Sequence, residues 1–108
     1  LQLKDGQISE IIIDPNTIGV NADSLENLIG DDAKFNAEKM IDIFKGEDND
    51  FSKAVCLNAA AGLIVMDKYL SFKDSYNEAR NYILSGKTFN YLKSLQNAWR
   101  YSKKNIRY

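Results

Sequence analysis

The chain has 108 residues, 44% hydrophobic and 27% charged, with a formal net charge of −1, the composition of one soluble globular domain or part of one. Its longest apolar run, Ala59 to Met66, falls short of the roughly 18–20 residues of a membrane span, and no secretory pattern opens the chain. Cys56 is the single cysteine, which excludes an internal disulfide and points to a buried inert thiol in a reducing, cytoplasmic setting.

Charge is unevenly placed. Residues 1–50 hold 12 acidic and 4 basic side chains, a net of −8, and residues 51–108 hold 3 and 10, a net of +7. Such asymmetry can mark an anion-binding half. Solvated faces that attract each other within one fold account for it more simply.

Leu1-Gln2-Leu3-Lys4, Asp5-Gly6 and Gln7 to Ile13 predict a β-hairpin over 1–13, because a tight hairpin turn needs the positive φ values that Asp-Gly supplies. The continuous Ile11-Ile12-Ile13 predicts a second strand covered on both faces, stopped by Asp14-Pro15. A chain that opens on Leu1, in mid-strand pattern, reads as a piece of something longer. Asn16 to Val20 is expected to be a loop.

Helices follow. Ser24 is an N-cap for a short helix over 25–29 closed by Gly30, and Asp31 or Asp32 starts another. Its expected core stripe is Ala33, Ala37, Met40, Ile41 and Phe44, and Gly46 ends it. The acidic residues 47–50 read as a solvated linker. A third helix is predicted from about Phe51 to Tyr69, and Ser71 to Asp74 resembles a capping box for a fourth with the stripe Phe72, Tyr76, Ala79 and Ile83. After Ser85-Gly86, the spacing of Phe89, Leu92, Gln96 and Trp99 predicts a last helix packed through Trp99. One hairpin followed by four or five helices is a mostly α chain, the tail end of an α/β or α+β domain.

Asn58 interrupts an apolar run, on one helix face with Ala54, Ala61 and Val65. The pattern predicts a buried amide that bonds a ligand or, more simply, staples a neighbouring backbone, worth about 1–3 kcal/mol if its partners are stranded by Asn58→Leu. Asp31-Asp32 and Asp48-Asn49-Asp50 read as helix caps and linker rather than as metal ligands. The six glycines stand apart, so no phosphate-cradling loop is formed, and there is no histidine. The basic, aromatic tail from Trp99 reads as a frayed helix end rather than as a nucleic-acid site.

The segments DPNTIGV, LENLIGDDAKFNAEKMIDIFKGE, AVCLNAAAGLIV and SFKDSYNEARNYILSGKTFNYLKSL, in that order, resemble the carboxy-terminal end of the anthranilate phosphoribosyltransferase family. The matching positions are Asp14, Pro15 and Gly19; Leu28, Gly30 and Asp32; Asn36, Ala37, Gly46 and Glu47; Leu57 to Ala60; and Ser85 to Lys87. Asp31 stands where the family has a second glycine, Thr88 where it usually has alanine, and residues 96–108 run past its usual end. The resemblance divides the chain into 1–95, the end of an α/β phosphoribosyltransferase domain, and 96–108, a basic helical extension.

It implies, for the whole protein, transfer of a 5-phosphoribosyl group from phosphoribosyl pyrophosphate to anthranilate with Mg²⁺, in tryptophan biosynthesis. It implies a homodimer formed through an absent amino-terminal helical domain, with no nucleic-acid or membrane partner. The family's glycine-rich donor loop, Lys-His-Gly-Asn-like segment and Asp-Glu metal pair have no counterpart in these residues, so no catalytic, substrate-binding or metal-binding residue is assigned and the chain alone is expected to be inactive. Asp14, Pro15, Gly19, Asn36 and Asn58 are expected to be structural. A piece of a related pyrimidine nucleoside phosphorylase and a self-standing helical interaction module are the rival readings.

Overall fold

The structure, a computed structural model, describes residues 1–21, 23–67 and 71–105. It begins with the hairpin of β1, Gln2–Lys4, and β2, Gln7–Ser9, antiparallel with Gln2 opposite Ser9 and Lys4 opposite Gln7. Asp5 at φ 52 and Gly6 at φ 75 supply the two left-handed positions of a type I′ turn.

The second strand is shorter than its apolar run predicts. Ile11, Ile12 and Ile13 lie outside the ladder and are 47%, 91% and 46% exposed, not covered on both faces. The register explains this: with Ser9 opposite Gln2, Ile11 has no residue of this chain across from it.

Two single-turn 3-10 helices replace the expected loop and short helix, Pro15–Ile18 and Leu25–Leu28. Then come α1, Ala33–Phe44; α2, Asp50–Val65; α3, Phe72–Leu84; and α4, Lys87–Asn105. One hairpin followed by helices is the architecture the sequence predicts. Tyr69, the expected end of the third helix, lies outside the described residues.

The core sits between α2 and α3. Cys56 and Ala60 of α2 meet Tyr76, Ala79 and Ile83 of α3, with Ile43 of α1 and Val20 closing the cluster. Ala60 and Ala79 are small enough to let the two helix axes come close. The predicted α3 stripe is correct, with Phe72 at its half-buried edge. The predicted α1 stripe is not: Ala33, Ala37 and Met40 are exposed, Ile41 and Phe44 are partly buried, and the one fully buried α1 side chain is Ile43. α1 makes its main helix contacts with α3 and α4, and Ile41, Ile43 and Phe44, buried or partly buried, lie in its last turn, so the first two turns of the expected stripe stay uncovered.

Gly46, at φ 107, and Gly86, at φ 85, make the left-handed turns that end α1 and separate α3 from α4. α4 packs on α3 and α1 through its first turns only. Phe89 and Leu92 are partly buried, residues 93–104 are all exposed, and Trp99 is 69% exposed, so the stripe does not pack through Trp99. Among the described residues no helix is long and apolar enough to cross a membrane.

Candidate functional site

The polar positions singled out in the sequence are mostly devices that fix loops. Asp14 extends its carboxylate over the first 3-10 turn and accepts from Asn16 N at 3.0 Å, while Thr17 Oγ1 donates to the Asp14 carbonyl at 2.7 Å. Pro15 occupies the first helical position, where its missing N–H costs nothing. Gly19, at φ 76, turns the chain back, and its N–H donates to Asn16 O. That turn delivers Val20 into the core.

Asn36 closes the next loop with two hydrogen bonds to one residue. Its Oδ1 accepts from Asp31 N at 3.0 Å and its Nδ2 donates to Asp31 O at 3.1 Å. Asp32 caps α1, accepting from Phe35 N at 2.8 Å. Gly30 lies directly under the amide: a Cβ there would stand 2.7 Å from Asn36 Oδ1. With the amide held there by its two bonds to Asp31, position 30 has no room for a Cβ.

The residues read as a solvated acidic linker do something else. Asn49 and Ser52 form a reciprocal capping box at the start of α2, with Ser52 N donating to Asn49 Oδ1 and Asn49 N to Ser52 Oγ. Asp50 is inside α2 and only 6% exposed. Its Oδ2 accepts from Asn27 Nδ2 at 3.0 Å and from Asp23 N at 3.1 Å, and its Oδ1 accepts from Lys53 Nζ at 3.3 Å. Lys53 Nζ also donates to the Asn21 carbonyl at 2.7 Å. This hub ties Asn21, Asp23 and Asn27 to α2, and Asp23, Asp50 and Lys53 line a cleft of about 470 Å³ that reaches Pro15, Leu28 and Leu57.

The Asn27 hydrogen bond, chiefly, holds the Asp50 carboxyl below its ordinary value, helped by Asp23 and Lys53 against the opposing effect of burial. Asp48 forms an ion pair with Arg80, linking the entry of α2 to α3.

Asn58 departs most from expectation. It is exposed, and its Nδ2 donates to Ala54 O at 2.9 Å, one turn back in its own helix. Among the described residues it staples no neighbouring loop, since its one hydrogen bond stays within α2. Cys56 is 1% exposed, and burial pushes its thiol above the ordinary range, as an inert core cysteine requires.

Sequence reasoning placed caps at Ser24, Asp31 or Asp32, and Ser71 but read Asn49 and Asp50 as linker, missing both the capping box and the hub. The signal was a carboxylate at the first position of a capped helix, with Lys53 three residues on. Its other partners, Asp23 and Asn27, are more than 20 residues away and invisible to local patterns.

These loop devices sit at the positions that carry the family likeness, and comparison with known proteins bears on the same stretch. The model of the glycosyl transferase family, a/b domain, matches residues 1–89. The chain belongs to that family.

Within the glycosyl transferase family, it is 71% identical over 97 residues to the anthranilate phosphoribosyltransferase of Pelagibacter ubique, covering 90% of this chain and 29% of that protein. It is 33% identical to the Petrotoga mobilis anthranilate phosphoribosyltransferase (86% of this chain, 27% of that protein). It is 34% identical to that of Streptococcus mutans (89% and 29%). The chain thus spans less than a third of the length of these curated relatives. No solved structure matches it.

Proposed function

We propose that this chain is the carboxy-terminal segment of an anthranilate phosphoribosyltransferase, and that it braces a site whose reacting groups lie on other parts of the protein. The observation that carries the reading is the 71% identity to the Pelagibacter ubique enzyme across 90% of the chain. In the whole protein, the anthranilate nitrogen would bond to the anomeric carbon of phosphoribosyl pyrophosphate as the bond to pyrophosphate breaks, and the nitrogen would then lose a proton. Such a transfer needs hydrogen-bond donors around the leaving diphosphate and close placement of the amine.

The contribution of this chain is positional. Asp50 ties Asp23 and Asn27 to α2, Asn36 ties Asp31 to α1, and the Asn49–Ser52 box fixes the start of α2. Mg²⁺ is expected in the whole enzyme, but the carboxylates here do not fit it. Asp32 caps α1, Asp48 faces Arg80, and Asp50 already accepts from three donors, so they offer no open oxygen set for a hard cation. A cytoplasmic location and pairing through an amino-terminal helical domain belong to the same proposal.

The test is a hybrid in which this chain replaces the matching segment of the Pelagibacter ubique relative. The hybrid is expected to convert anthranilate and phosphoribosyl pyrophosphate, and the isolated 108-residue chain to show neither turnover nor saturable heat with phosphoribosyl pyrophosphate and Mg²⁺. A folded but inactive hybrid, or turnover by the chain alone, overturns the reading.

A further inference from the structure

We draw no further inference here: the strongest candidate, the apolar groove of about 600 Å³ lined by Val55 and Ala59 of α2, Tyr82 of α3 and Thr88 of α4, together with the exposed Leu95 and Trp99 further along α4, is an unpartnered face, and nothing in the structure shows what covers it.

Discussion

Gly30 and Asn36 are a matched pair whose cost can be measured. Adding a methyl at Gly30 drives a Cβ to 2.7 Å from an amide that two hydrogen bonds hold in place. Gly30→Ala and Asn36→Ala should each destabilise by about 1–2 kcal/mol. In the double variant the Gly30→Ala cost should largely vanish, because the obstructing amide is gone. Additive costs in denaturant would show that the two residues act separately.

Asp50 gives a pH signature. Its folded carboxyl titrates below its ordinary value of 3.8, so its contribution is fully present above that value and is lost as pH falls through the depressed folded one. Asp50→Asn should lower stability at neutral pH and make the chain less sensitive to pH below about 4. An unchanged acid-unfolding profile would contradict the hub. Asn58→Leu, by contrast, should stay within about 0.5 kcal/mol of wild type in this chain, since the amide is exposed and bonds only its own helix. A loss beyond 1 kcal/mol, the range the sequence pattern predicts, would restore the stapling role.

At the scale of elements, α2 depends on its first turn. It is the helix against which α3 packs most extensively, and the Asn49–Ser52 box begins it. Asn49→Ala should cost about 1 kcal/mol and speed amide exchange in the first turn of α2. Equal exchange rates in both proteins would mean that tertiary contacts alone fix that end. The Arg80–Asp48 pair beside it is about two-fifths exposed on each side, so it orients α3 on α2 more than it stabilises it. Most helix ends were readable from sequence because their signals are local, Asp32 or Ser71 in front and Gly46 or Gly86 behind, whereas Asn49 was hidden in an acidic run that reads as linker. Which face each helix buries was readable only for α3, whose stripe faces α2 along its whole length.

At the scale of the molecule, the chain is spread out. Its radius of gyration is 16.9 Å, against about 13 Å for a compact domain of this length. Among the described residues seven apolar side chains are buried, whereas Leu1, Leu3, Ile8, Ile12 and Val65 are each more than two-thirds exposed. The hairpin, Ile11, Ile13, Ala61, Ile64 and Val65 line a second groove of about 840 Å³. A chain with so much apolar surface should bind 1-anilinonaphthalene-8-sulfonate strongly. The hybrid enzyme should bind it much less, because the added chain covers that face. Equal dye fluorescence from both would argue that this face is not a domain interface.

The sequence by itself determined the order of elements, the caps other than Asn49, and the family. Each of these depends on residues within a few positions of one another, where φ preferences and hydrogen bonds to nearby backbone decide the outcome. Only the tertiary structure decided that Asp50 is a buried hub, that Ile43 rather than the expected stripe anchors α1, and that Asn58 and Trp99 face outward. Burial is a property of what lies across from a side chain, and an apolar or amide residue placed by its period says nothing of whether a partner is there.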